Sequence, residues 1–445
     1  MVATTAPFSN CHRRSKLASL VEHNLSEWTG RMGADWDVVI IGGGAAGIGA
    51  ASRLAASGLS TLLLEASQRI GGRAWTVNVA GQALDLGCGW LHSADRNPWV
   101  DIAKASGFIV DRSSPAWGQQ YRDLGFPQVE QDAADKAHEA WYERLTNIAG
   151  HSDRAADALE PDGTWSPYLQ AISGYLSGAV LERLSIADYL AYDAASTGHN
   201  WRVPAGYGTL IAANLPPTVA LRLATPVEAI DLVATGVSIV TRAGTIRARS
   251  AIVTVSTAVL ADGRIGLPSV LDDWCHAAAN LPLGHDEKLF LEIVGDSAFD
   301  PETHVLGDPH DSHTGTYYIR PFGRPVIEGF FGGEGARVLA ENGPAAGFAY
   351  ATDQLAALFG DDVRGRLRPL LISNWSLMEY VGGAYSYALP GRAAAREALA
   401  RPFEQRLFFA GEATHRNDFS TAHGAYQSGR RAADEVIAAL TPHAP

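Results

Sequence analysis

Val38 to Ile41 is an unbroken apolar run, the pattern of a parallel strand buried on both faces. Three glycines follow as Gly42-x-Gly44-x-x-Gly47, and from Ala45 to Ser57 small and apolar residues recur at helical spacing. Ser60 to Leu64 is a second apolar run, closed by Glu65. The pattern predicts a strand–helix–strand unit over residues 37–66. Four short apolar segments between turn residues, Val219–Leu223, Val227–Leu232, Val237–Thr241 and Ala251–Val255, predict further strands. Leu289, Leu291 and Ile293 alternate after Lys288 as on a half-buried strand, and TYYIRPFGRPVIEGFFGG, residues 316–333, reads as paired strands. Leu407 to Ala410 predicts another buried strand, Gly411-Glu412 a turn, and a helix begins at about His423. Ala425, Gly429, Ala432, Ala433, Val436 and Ile437 give that helix a small-residue face suited to close packing on the first unit. Strands alternating with helices place the chain in the α/β class.

The first unit carries candidate chemistry. Gly42 allows a tight turn, Gly44 lets backbone approach a pyrophosphate, and Gly47 lets helix pack on strand. The helix start, with Ala46 in its first turn, faces phosphates, and Glu65 accepts hydrogen bonds from ribose hydroxyls. An acid there suits NAD or FAD and disfavours NADP. SQRIGGRAWT then sets Gly71-Gly72-Arg73 after the second strand, where an arginine fork can grip a pyrophosphate.

Composition narrows the other classes. With 445 residues, 47% hydrophobic and 19% charged, the chain is long enough for two domains. A net charge of −13 argues against a nucleic-acid-binding face. Cys11, Cys88 and Cys275 lie far apart with no CxxC, so neither a disulfide framework nor a metal site is expected and a reducing cytoplasm fits. No apolar run reaches about 18 residues, so no membrane span is expected. Arg13-Arg14 is followed by Lys16, Glu22, His23 and Glu27, which break any export-signal core, so residues 1–35 read as an N-terminal extension.

The unit ending on Glu65-Ala66, the Gly-Gly-Arg motif, and the DLGCGWLH turn with Asp85, Gly87, Gly89, Trp90 and His92 resemble the FAD-binding region of the flavin amine oxidase superfamily. That group includes monoamine oxidases, polyamine oxidases and some L-amino-acid oxidases; GWLH looks most like the polyamine oxidase branch. GEAT at 411–414 and HGAYQSGRRAA at 423–433 extend the resemblance over about 36–440. It implies an FAD with the backbone of Val227 at the adenine, although the sequence alone reads Val227 as a core valine. It implies Trp375 against the ring, and Gly411, Glu412, Thr421 and Ala422 around it, with the last helix aimed at the flavin C2 carbonyl. Ser67 departs from the arginine that many relatives carry there.

Lys288 is one of only four lysines in the chain. By resemblance its PLG…K context holds a water at flavin N5 and aids reaction with oxygen; without the resemblance it reads as a surface lysine capping a strand. In EYVGGAYSYALPG, residues 379–391, monoamine oxidases have Gly-Gly-Cys-Tyr, and their cysteine bonds to the flavin. This chain has Ala384, which excludes a covalent link there. Tyr385 matches one wall of the aromatic sandwich that guides amines, and Thr421 aligns at the second wall, with nearby Phe419 as the alternative. His92 joins Tyr385, Thr421 and Phe419 as the expected substrate-binding set. Glu328, Glu334, Glu379, Tyr317 and Tyr318 either steer cations or serve only the surface and scaffold.

The expected fold is α/β: a discontinuous Rossmann-type FAD-binding domain (glutathione-reductase-like, GxGxxG plus GGR) over 36–100, 203–276 and 381–440. An inserted α+β substrate-binding domain takes 101–202 and 277–380. The expected activity is oxidation of an amine C–N bond by hydride transfer to flavin N5, giving an imine, then aldehyde or ketone, and hydrogen peroxide. Lys288 and Tyr385 are the expected catalytic residues. The expected cofactor is non-covalent FAD, and the partners are a small-molecule amine and molecular oxygen, with no nucleic acid, membrane or metal; a homodimer is one assembly this allows. The alternative is a related flavin desaturase or dehydrogenase acting on an apolar substrate or using a non-oxygen acceptor.

Overall fold

The computed structural model describes residues 36–295 and 299–441, so the extension expected over 1–35 lies outside the described residues. In chain order the strands are β1 (Trp36–Ile41), β2 (Thr61–Leu64), β3 (Thr76–Val79), β4 (Gln82–Asp85), β5 (Trp90–Leu91), β6 (Trp201–Arg202), β7 (Ala220–Arg222) and β8 (Val227–Val233). They continue as β9 (Gly236–Thr241), β10 (Gly244–Val253), β11 (Asp286–Ile293), β12 (Thr303–Leu306), β13 (Thr316–Ile319), β14 (Val326–Gly332), β15 (Leu367–Ile372) and β16 (Leu407–Phe409).

The first sheet runs β7-β2-β1-β10-β9-β8, with β16 also paired to β10. β1 lies between β2 and β10, parallel to both. Its side chains divide between two cores, Val39 and Ile41 on one face, Val38 and Ile40 on the other. Both faces are covered, which is why the run shows no polar alternation. Helices Ala45–Leu54 and Ala422–Leu440 share the second of these cores. They meet almost backbone to backbone: a Cβ on Gly49 would lie 2.3 Å from the Tyr426 carbonyl oxygen, and one on Gly429 1.9 Å from that of Ala46. The small-residue face read from the sequence is this contact.

β10 is longer than the strand predicted over Ala251–Val255. Gly244–Ala248 pairs antiparallel with β9, and the rest runs parallel with β1 and β16. Thr245, Arg247 and Arg249 are exposed on its first half, so the apolar signal is diluted there. The strand stops at Val253, and Thr254 then hydrogen-bonds through its hydroxyl to the Ile41 carbonyl at 2.9 Å.

The second sheet is antiparallel, in the order β12-β13-β14-β11-β15. The half-buried character predicted for β11 is corrected: every residue from Asp286 to Leu291 is buried. Leu289, Leu291 and Ile293 enter a core shared with helix Pro344–Phe359, which the alternation anticipated. The other face is covered too, because Phe290 packs with Leu84, Leu86 and Trp375. Helices Gln128–Ile148, Ser166–Ser177 and Ile186–Ala195 lie within 101–202. Among the described residues no helix is long and apolar enough to cross a membrane.

Candidate active site

A cavity of about 910 Å³ joins the glycine turn after β1 to one face of β11 and β14. Gly42, Gly44, Ala46, Glu65, Ala66, Gly72 and Arg73 border it, as do Gly87, Gly89, Trp90 and His92. Val227, Lys288, Trp375, Ala384 and Tyr385 border it from later segments, with Gly411, Glu412, Thr421 and Ala422. Two predicted residues stand back. Gly47 packs on the turn itself, where a Cβ would lie 1.9 Å from the Gly42 carbonyl oxygen. Phe419 is buried with its ring centroid 3.5 Å from the Arg396 guanidinium carbon, so that alternative for a second aromatic wall is set aside.

The glycine wall suits a phosphate-bearing group. Gly42 has φ +108, open to glycine at little cost, and a Cβ on Gly72 would come within 3.0 Å of the Gly44 Cα. Backbone therefore forms this side of the cavity, and the first turn of helix Ala45–Leu54 lies against it. Glu65 is buried beside the turn and accepts from Gly43 N at 2.7 Å and from Ser67 N and Oγ at 2.8 and 2.7 Å. Ser67, the departure from the family's arginine, thus braces Glu65. A carboxylate has about four acceptor sites, so capacity remains for hydroxyls. Arg73 borders the cavity, but one of its nitrogens is engaged by Glu412 at 3.0 Å and by the Ala384 carbonyl.

Lys288 is no surface cap. It is buried, its Nζ 2.7 Å from Glu328 Oε1. The register explains the pair: Lys288 faces Phe330 and Phe290 faces Glu328, so the two charges are diagonal neighbours on one face. Burial works against the ammonium, but Glu328 outweighs it and holds the pKa above the ordinary lysine value. Glu328, held open in the sequence as steering or scaffold, is thereby the lysine's partner. A Cβ on Gly89 would lie 3.2 Å from the Lys288 Nζ, so glycine there makes room for the amine. Burial and then Asp85 push the neighbouring Cys88 thiol up to about 12, which leaves it protonated and unreactive.

Tyr385 donates its hydroxyl to the Tyr175 carbonyl at 2.6 Å, fixing the ring at the cavity. The Thr421 hydroxyl donates to the Asp418 carbonyl at 2.7 Å and accepts from Gly424 N at 2.9 Å, capping helix Ala422–Leu440. Neither predicted position sets an aromatic ring opposite Tyr385. His92 pairs with Asn200 Oδ1 at 2.7 Å, and burial lowers it to about 4, so it is neutral near pH 7. Tyr318 and Glu379 also border the cavity, whereas Tyr317 is buried against Gln354 and Glu334 pairs with Arg337.

The sequence reading did not single out three other features. Below the cavity, Arg396 holds Asp188 with two bonds of 2.6 and 2.7 Å and reaches Ser386 Oγ at 2.9 Å. Ser386 in turn donates to Glu412 from N at 3.1 Å and Oγ at 2.6 Å. Burial would raise Glu412, but Arg73, Arg396 and these bonds hold it below the ordinary value. Asp286 borders the cavity two residues before Lys288, a period-two relation legible in HDEK.

Glu287 points to the opposite face of β11, where Ser373 Oγ donates to it at 2.5 Å and Ser376 N at 3.3 Å. Burial lifts it from 4.5 to about 7 despite those bonds. The folded chain then keeps a proton that the unfolded chain releases, so stability falls as pH rises between about 4.5 and about 7. Glu287→Gln should match the parent at about pH 4 and exceed it at about pH 8 by up to about 3 kcal/mol. Urea unfolding at both values checks this, and an unchanged pH slope in the variant would refute it.

A family model described as flavin containing amine oxidoreductase matches residues 45–122 and 117–437. Polyamine oxidase 2 of Arabidopsis thaliana is 27% identical over 437 residues, covering 89% of this chain and 87% of that protein. Pseudooxynicotine dehydrogenase of Pseudomonas sp is 24% identical over 457 residues, covering 91% and 87%. A structure of putrescine oxidase bound to putrescine superposes with a TM-score of 0.72 at 19% identity, covering 91% of this chain and 99% of that one.

Proposed function

The chain belongs to the flavin-containing amine oxidoreductase family and oxidises amines with FAD, and we propose that the cavity between the glycine turn and Lys288 holds that flavin and presents the amine to it. The observation that carries the reading is the continuity of one cavity past Glu65, Lys288 and Tyr385. On this reading the parallel strands belong to a Rossmann-type, glutathione-reductase-like FAD-binding domain assembled from 36–100, 203–276 and 381–440. Residues 101–202 and 277–380 then form the substrate-binding part.

Gly42, Gly44, Ala46, Gly72 and Arg73 serve the pyrophosphate, Glu65 and Ala66 the ribose, and Val227 the adenine. Gly87, Gly89, Trp90, Trp375 and Ala384 flank the ring, with Gly411, Glu412, Thr421 and Ala422 beside it. A bound FAD would supply the hydride acceptor for the carbon next to the amine nitrogen and the route of those electrons to oxygen, the chemistry that yields an imine and hydrogen peroxide. The chain supplies the setting. Lys288 keeps a positive charge in a dry place, and the start of helix Ala422–Leu440 favours negative charge near it. Tyr385 offers the amine an aromatic face that is fixed by its own hydroxyl bond. Ala384 brings no thiol, which supports a flavin held without a covalent bond. The unpaired Cys88 and Cys275 support a cytoplasmic setting. Names such as polyamine oxidase and putrescine oxidase among the similar proteins favour an aliphatic amine over an apolar polyene.

Purified protein should be yellow, bleach when an amine is added without air, and release hydrogen peroxide when air returns. Acid precipitation should then leave the colour in the supernatant. Flavin-bound protein that no amine reduces defeats the activity, and colour retained on the precipitated chain defeats the non-covalent reading.

A further inference from the structure

Most carboxylates around the cavity already have partners. Glu65 is held by Gly43 and Ser67, Asp85 by Thr76, Tyr207 N and Gly208 N, Glu328 by Lys288, and Glu412 by Arg73 and Ser386. Asp286 is different. It borders the cavity, is 4% exposed, and neither of its carboxyl oxygens has a hydrogen-bond partner. Its cross-strand neighbour is Gly332, which offers no side chain. The Tyr385 hydroxyl lies beside it, but that hydrogen goes to the Tyr175 carbonyl. A buried polar group left unpaired is costly, and folds rarely keep one without use.

We propose that Asp286 is the counter-ion for a second, non-reacting cationic nitrogen of the substrate, so that this enzyme selects amines with two positive centres. The inference rests on the amine-oxidase reading above. The reacting nitrogen must give its lone pair to the new C=N bond as hydride leaves the adjacent carbon, so it must be unprotonated. A nitrogen paired to a buried carboxylate is protonated and keeps its lone pair tied up. The two tasks therefore need two nitrogens. β11 separates the sites: Asp286 and Lys288 project from the same face, two residues or roughly 7 Å apart along the strand. Burial raises the Asp286 pKa well above its ordinary value against the neighbouring Tyr385 hydroxyl, and the charge of Glu287 adds to it, so a cation placed beside Asp286 favours the ionised form that burial opposes.

The test uses flavin-bound wild type, Asp286→Asn and Asp286→Val. Anaerobic flavin reduction is followed with short α,ω-diamines and with n-alkylamines of matching length, which separates the dissociation constant from the limiting rate. In both variants diamine binding should weaken roughly 100-fold with little change in limiting rate, while monoamines bind as well as before or better. Thermal unfolding of the variants should equal or exceed that of wild type, since no internal bond is lost. Equal losses for diamines and monoamines, or unchanged diamine binding, overturn the inference alone. Failure of every amine to reduce the wild-type flavin overturns the amine-oxidase reading and this inference with it.

Discussion

Lys288→Met is expected to slow reoxidation by oxygen about 100- to 1000-fold while anaerobic reduction by an amine changes less than about tenfold. Methionine keeps most of the lysine's length and removes only its charge. That charge is real at neutral pH, because Glu328 at 2.7 Å more than offsets burial. Oxygen arrives neutral and becomes negative as electrons reach it, so a fixed cation in a dry site favours the charged state over the starting one. The amine's hydride step leaves the substrate as a cation and gains little from the same lysine. Rapid mixing resolves the two half-reactions. A loss shared equally by both, or absent from reoxidation, defeats the assignment. Glu328 is left without its partner in the variant, but its side chain is 22% exposed and can hydrate, so folding should survive.

Arg396→Met is expected to cost about 3–5 kcal/mol of stability and to weaken flavin retention. Arg396 and Asp188 are 3% and 2% exposed, and the substitution leaves Asp188 charged, buried and short of two bonds. Arg396 also holds Ser386, whose backbone and hydroxyl fix Glu412, and Glu412 fixes Arg73. One residue thus supports the segment with Ala384 and Tyr385 and the turn at Gly411. Adding Asp188→Asn should recover a substantial part of the loss, because the unpaired charge goes with it. Urea unfolding of single and double variants checks this. A single variant within about 1 kcal/mol of wild type contradicts it.

The parts legible in the sequence were local and periodic. The run Val38–Ile41, the three glycines and the strand ending on Glu65 lie consecutively, and each has its own pattern. The small-residue face of the last helix was equally visible at Gly429, Ala432 and Ala433. What the sequence hid depends on partners distant in the chain. Lys288 alone is ambiguous, and only the β11–β14 register brings Glu328 beside it. β11 looked half-buried because its second face is covered by Leu84, Leu86 and Trp375, from two remote segments. The alignment of the sequence put Thr421 at the second wall with Phe419 as the nearby alternative, and only the fold shows that Phe419 packs on Arg396 while Thr421 borders the cavity. Asp286 was overlooked because an acid in HDEK reads as polar surface until both faces of its strand are known to be covered.

The crossing of helices Ala45–Leu54 and Ala422–Leu440 also sets a timetable. Gly49 and Gly429 bring together segments about 380 residues apart in the chain, and β16 joins β10 nearly as late. At roughly 5–20 residues per second, the ribosome needs tens of seconds between the first segment and its partner. Until then the small-residue face of helix Ala45–Leu54 lacks the helix that covers it in the fold. On the proposed reading of the site, the flavin is expected to be retained only after helix Ala422–Leu440 has left the ribosome. A ribosome stalled before residue 407 is therefore expected to carry no flavin, and flavin fluorescence of the isolated stalled complex checks this.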